Sequence, residues 1–140
     1  MILTLHKKQT GKEFIREMEK THGSIHEMTK KVERTNNMMF YSDLEAWKYY
    51  LNHPDETIKR TTTLFTNDLV LSDVEMKLLS IVKHDKPTSI RELAKLMDKD
   101  ISSVQPKVKN LEKEGLLRLK DGLKNSKVPY LNYDTISIAI

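Results

Sequence analysis

Between residues 89 and 127 the side chains able to do chemistry are mostly hydroxyls, amides and cations with a few carboxylates between them, and none forms a nucleophile–base pair of a known motif. Ser102, Ser103, Gln105, Pro106, Lys109, Asn110 and Lys113 fall close together in one stretch, DISSVQPKVKNLEKEGLL. Such a set suits recognition better than bond-breaking. Gln can pair with the edge of adenine, Ser hydroxyls serve as donor or acceptor, and an exposed proline ring packs on a thymine methyl. Lys109, Lys113, Arg91, Arg118, Lys120, Lys124 and Lys127 offer phosphate contacts, which position a protein without reading sequence. Thr88 and Ser89 fall where a helix should begin, a second place that accepts phosphate oxygens. The chain carries a formal net charge of +4. From Lys99 to Lys127 there are eight Lys or Arg against four acids, so the whole excess lies in that run. An ordinary solvated, lysine-rich surface has the same composition, so charge alone leaves both readings open.

Other chemistries find less support. His22 and His26 are four residues apart with Glu19 upstream, a spacing that offers metal ligands on one helical face, but Gly23-Ser24 interrupts that face. Surface histidines are the plainer reading. There is no cysteine, which removes disulfides and thiol catalysis and fits a cytoplasmic home. Four glycines form no phosphate-cradling loop and no Gly-x-Ser-x-Gly elbow. No apolar run approaches the roughly 20 residues a membrane span needs. Neither an enzyme nor a cofactor is expected. Trp47, Tyr49 and Tyr50 could form an aromatic ligand pocket, but at helical spacing they read as core or dimer interface.

These residues must be held by elements, and the helix starts are legible. Ser or Thr followed three residues later by Glu satisfies backbone donors reciprocally at a helix amino terminus. The pattern occurs at Thr10/Glu13, Ser24/Glu27, Ser42/Glu45, Ser72/Glu75 and Ser89/Glu92, each before helically spaced apolar residues. The first two predict one broken helical arm over 11 to 34. Strands are expected at 2 to 6, at 38 to 41 after Asn36-Asn37, and at 136 to 140. Residues 116 to 120 and 127 to 131 flank Asp121-Gly122 and read as a hairpin. Residues 52 to 71 are harder: Asn-His-Pro-Asp breaks the helix, and Thr57 to Phe65 is an edge strand or irregular.

Pro106 constrains the last helix. A proline is harmless where backbone N–H groups have no intrahelical acceptor, so the helix is expected to start from a cap at Ser103. With Val104, Val108 and Leu111 turned inward, a 100-degree wheel puts Ser102, Pro106, Lys109 and Lys113 outward, with Ser103 and Asn110 nearby and Gln105 at the border.

Helix 73 to 83, helix 90 to 97, a short turn, a third helix ending at Glu114-Gly115 and a hairpin form the layout of a winged helix-turn-helix. The stretch SIRELAKLMDKDISSVQPKVKNLEKEGLL resembles the core of MarR-like winged-helix regulators in its Val-x-x-x-Val-x-x-Leu-Glu seam and its Glu-Gly-Leu exit. A larger part of the chain is similar to a family of short archaeal and bacterial predicted transcriptional regulators, some antitoxin-like. Phe40-Tyr41-Ser42-Asp43-Leu44-Glu45, Ser89-Ile90-Arg91-Glu92-Leu93-Ala94, Val128-Pro129-Tyr130 and Tyr133-Asp134-Thr135-Ile136 stand at that family's motif positions. The chain departs from it in the extra stretch 52 to 71 and in the inserted Leu131-Asn132.

The expected fold is therefore α+β and mainly helical. An amino-terminal strand-helix dimerisation arm (1 to 71) precedes a winged helix-turn-helix domain with a carboxy-terminal strand (72 to 140). The resemblance implies a homodimer that binds double-stranded DNA and regulates transcription. The alternative is an antitoxin whose arm holds a partner protein, with DNA binding for autoregulation.

Overall fold

In the computed structural model all 140 residues are described. The order is β1 (Ile2–Thr10), α1 (Gly11–His22), α2 (Ile25–Thr35), α3 (Met38–Leu51), β2 (Thr57–Phe65), α4 (Asp73–Asp85), α5 (Ile90–Leu96), α6 (Ile101–Lys113), β3 (Arg118–Asp121), a 3-10 turn (Leu123–Asn125), β4 (Lys127–Tyr130) and β5 (Thr135–Ala139). The class is α+β, with six helices and small antiparallel sheets. No helix is long and apolar enough to cross a membrane.

The chain forms two compact units, Met1–Lys7 with Thr61–Ile140, and Lys8–Arg60. This differs from a division at 71/72, because the first residues of β1 join the carboxy-terminal half.

The Lys8–Arg60 unit is not an extended arm. Its three helices close on a core of Phe14, Met18, Met28, Leu44 and Trp47, the last 2% exposed. Thr10 and Ser24 cap α1 and α2 by accepting the Glu13 and Glu27 backbone N–H. Between them Gly23, at φ 83°, ends α1 in the left-handed region that glycine enters without a Cβ clash. The Gly11 and Lys12 N–H groups donate at 2.9 Å to the carbonyls of Glu56 and Pro54, so the Asn52–Glu56 loop completes the start of α1. Here the strand expected at 38 to 41 is corrected. Asn37 caps a helix by accepting from Met39 and Phe40, which leaves Ser42 inside α3 and not at its start. A β-prone run yields once a capping amide precedes it and Leu44 and Trp47 supply helical burial.

In the larger unit, α4, α5 and α6 pack around Leu78, Leu79, Val82, Leu93, Ala94, Val104, Val108 and Leu111, joined by Leu116, Leu117, Leu3 and Leu5. Ser72 and Glu75 form the expected reciprocal cap. Glu75 does more than close that cap. Its carboxylate is buried and also takes the Lys107 ammonium of α6 at 2.7 Å, and Lys107 and Ser72 together hold it down to a pKa of about 2. This pair ties α6 to the start of α4.

Gly115, at φ 85°, turns the chain out of α6, with the Leu116 N–H returning to the Leu111 carbonyl at 2.9 Å. The hairpin β3–β4 follows, in register Arg118↔Tyr130 to Asp121↔Lys127. The carboxy-terminal strand turns back to lie against β1, Ile2↔Ala139 through His6↔Thr135, in a sheet ordered β2-β1-β5. Tyr133 anchors that return. Its buried hydroxyl donates to the Leu116 carbonyl at 2.7 Å, and burial raises its pKa far above the usual phenol value. Lys83 clamps the same corner through the Tyr133 carbonyl and the Asp134 carboxylate.

Candidate nucleic-acid interface

The seam of α6 is buried as its apolar spacing requires: Val104 and Leu111 are 0% exposed and Val108 1%. That fixes the opposite face. Ser102, Ser103, Gln105, Pro106, Lys109 and Lys113 are exposed, and Asn110 is half-buried at the border. Gln105 lies fully outward, so all these side chains except Asn110 are open to solvent.

The cap expected at Ser103 is corrected. The helix starts a turn earlier, with Asp100 as N-cap, and the Asp100 carbonyl accepts the Ser103 and Val104 N–H groups at 3.0 and 3.2 Å. Pro106 therefore sits inside α6, where it supplies no N–H to the Ser102 carbonyl one turn back. The cost is lowered by position: both residues are on the exposed face, so water can satisfy the oxygen that the ladder leaves unpaired. Ser103 is thereby released from capping and left on the open face.

The turn between α5 and α6 spans Met97 to Asp100, with Asp98 at φ 55°. Ser103 shares a polar depression there with two lysines and two aspartates, Lys95, Lys99, Asp98 and Asp100. Ser89, by contrast, is engaged. Its hydroxyl accepts the Glu92 N–H at 3.0 Å, while the Glu92 carboxylate takes both the N–H and the hydroxyl of Thr88, hydrogen bonds that lower its pKa. The amino terminus of α5 thus has a carboxylate of its own where a phosphate was expected. Arg91, in the first turn of α5, is exposed.

On the hairpin the cations divide. Lys120 extends over the Tyr130 ring, 5.3 Å from its centre, and lines a cleft with Lys83, His84 and Lys86 at the end of α4. Arg118 lines a different cleft, with Leu5, Leu64 and Glu112. Lys124 is exposed in the tip with left-handed φ 52°. Lys127 is ion-paired to Asp121 across the hairpin, which lowers the Asp121 pKa and neutralises the cation locally. The structure therefore brings Ser103 to Lys95 and Lys99 alongside Asp98 and Asp100, and Lys120 to Lys86 and His84, while Arg118 and Lys127 are drawn elsewhere. Lys86, Lys95 and Lys99, which the sequence reading does not single out, line these clefts. The local signal was only a lysine near a helix end, which any solvated helix offers.

The histidines weighed as ligands are placed apart. His22 receives Lys31 at 3.0 Å on Nδ1 and meets Phe40 edge-on, whereas His26 is exposed. Tyr49 stacks on His53 with ring centres 4.0 Å apart and donates to Glu56, so of the aromatic trio only Trp47 is fully core.

No curated protein and no solved structure matches the chain. Residues 70–138, which carry α4 to α6, the hairpin and every candidate contact from Ser89 to Lys127, match the model of a protein family designated HVO_A0114.

Proposed function

We propose that this protein is a winged helix-turn-helix, MarR-like regulator of transcription that binds double-stranded DNA as a homodimer, without catalysis or cofactor, in the cytoplasm. One observation carries the proposal. The exposed face of α6 holds Ser102, Ser103, Gln105, Pro106, Lys109 and Lys113 above a fully buried seam, in the order helix, helix, turn, helix, hairpin. In that layout the third helix enters the major groove and the hairpin follows the adjacent backbone. Gln105 and Pro106 read bases. Lys109, Lys113, Arg91, Lys120 and Lys124 meet phosphates, with Lys95 and Lys99 beside Ser103.

The test is a titration of the full chain with its preferred duplex and with random duplex at several salt concentrations. Log affinity should fall linearly with log salt as counterions are reclaimed. Gln105→Ala should cost about 1–3 kcal/mol on the preferred duplex with little change on random DNA and an unchanged melting temperature. Equal weakening on both duplexes would remove Gln105 from base readout, and no salt-dependent binding to any duplex would end the proposal.

A second reading, a partner-protein role of the antitoxin kind, is favoured by the corner between α2 and α3. Met38 and Met39 are 75% and 74% exposed there, beside half-exposed Tyr41. Methionines on an open surface adapt to a partner's shape.

A further inference from the structure

In the part of the three-stranded sheet that reaches β5, the chain segments are residues 1 to 6, 61 to 66 and 135 to 140, MILTLH, TTTLFT and TISIAI, while Lys7 and Lys8 of β1 and Lys59 and Arg60 of β2 lie beyond it. None of these 18 residues is Asp, Glu, Lys or Arg, in a chain whose 24 basic and 20 acidic residues all lie elsewhere. One face of the sheet is core, through Leu3, Leu5, Leu64 and Ile136. By strand alternation the other face holds Ile2, Thr4 and His6 with Thr135, Ser137 and Ala139, none of them Asp, Glu, Lys or Arg, and there the His6 ring meets the Ser137 hydroxyl at 2.8 Å.

β5 is an outer strand of this sheet, with one row of backbone groups paired to β1 and the other row open. Its side chains do not protect it. Ile138 lies opposite Leu3, which is 0% exposed, yet is itself 52% exposed, and Ile140 beyond it is bare. Exposed edges are ordinarily blunted by lysine, proline or a bulge, because open N–H and C=O groups template another strand. The other edge strand, β2, has such protection in Lys59 and Arg60 near its middle. β5 has none.

We propose that the open edge of β5 pairs antiparallel with β5 of a second copy, giving a six-stranded sheet ordered β2-β1-β5-β5-β1-β2 about a two-fold axis. The occupant follows from charge. A phosphate backbone or a charged peptide finds no counter-charge on this strand, whereas a second copy of a chain with net charge +4 can approach without repulsion where its charges are absent. A strand pairing with itself antiparallel is also the arrangement a closed two-fold dimer requires. Centred on Ser137, the pairing sets Ile136 of each copy opposite Ile138 of the other and covers the half-bare isoleucine.

The inference rests on the dimeric part of the proposed function and not on its DNA part. Sedimentation of the full chain without DNA, over a range of concentrations, should show a dimer. Ile138→Lys should shift the dissociation midpoint at least about a hundredfold upward, since it buries two unpaired ammonium groups near the axis. Thr63→Lys, on exposed β2, should leave the dimer intact. Ser137→Cys supplies the only thiol in the chain and should cross-link on mild oxidation of the native protein, a readout that stands even if Ile138→Lys fails to fold. A folded Ile138→Lys dimer, or a dimer of Ser137→Cys that does not cross-link, overturns the β5 interface alone. A native chain that is monomeric at every concentration overturns the dimer as well. DNA binding is decided separately by the titration above.

Discussion

Two small β structures stand in the same unit and are built on opposite principles. The hairpin β3–β4 carries Arg118, Lys120, Asp121, Lys124 and Lys127 within its short span, while the part of the sheet β2-β1-β5 that reaches β5, residues 1 to 6, 61 to 66 and 135 to 140, has no charged side chain. Both are antiparallel and both contribute to the core, the hairpin through Leu119 and the sheet through Leu3 and Leu5. Their outward sides are therefore not fixed by the core. Cations projecting from a two-stranded ribbon suit a polyanion, and an uncharged edge suits a surface of the same kind. The modest net charge of +4 is thus less informative than its exclusion from β5 and the strand segments beside it.

The comparison breaks first if the shared support is loosened. Val108→Ala opens space in the core that Leu119 of the hairpin and Leu3 and Leu5 of the sheet share with α6, and should lower stability by about 2–3 kcal/mol. DNA binding and dimerisation should then decline together in proportion to the unfolded fraction, measured by melting alongside titration and sedimentation. Loss of one function at full folded population would mean that α6 supports only that one.

A smaller effect should separate the two structures. Lys120→Ala with Lys124→Ala should reduce affinity for every duplex about tenfold and flatten the salt slope by about two, with the dimer unchanged. Lys127→Ala should do much less, because Asp121 already neutralises that cation. If Lys127→Ala matches the double variant, the ion pair opens on binding and the hairpin contacts need redrawing.

The smallest effect concerns a charge that belongs to neither surface. The Glu75 carboxyl is held at about 2 by Lys107 and Ser72, below its ordinary value near 4.5. A depressed carboxyl stabilises the fold above its unfolded pKa, and that contribution is lost as pH falls from about 4.5 toward 2. Glu75→Gln should cost about 1 kcal/mol at neutral pH, less than removal of a fully buried charge partner because Lys107 retains access to water. The melting curves of the two proteins should converge in acid. A constant gap down to pH 2 would show that packing, not ionisation, sets the cost.

Local chemistry in the sequence determined much of the scaffold. The caps at Thr10, Ser24, Ser72 and Ser89 are set within four residues, so they could be read without any knowledge of tertiary contacts. The seam Val104, Val108, Leu111 likewise dictated which face of α6 is open, since a helical period leaves one choice. Ser42 failed because the same capping pattern can lie inside a helix when an earlier residue, here Asn37, captures the start. Ser103 failed because proline was weighed against the ladder alone, and only the exposure of Ser102 and Pro106 shows why α6 can start at Asp100 and run through.

What the tertiary structure alone decided are pairings between residues far apart in the chain. Lys107 on Glu75, Tyr133 on Leu116 and β1 on β5 have no local signature, because many lysines, tyrosines and apolar strands could serve equally until the fold chooses their neighbours. The same holds for charge. Lys127 and Lys120 look alike along the chain, and only the hairpin register sets one beside Asp121 and leaves the other facing the end of α4. The uncharged part of the sheet beside β5 is the fullest case: three short segments from the beginning, middle and end of the chain each look ordinary, and their shared neutrality acquires meaning only when backbone hydrogen bonding lays them side by side.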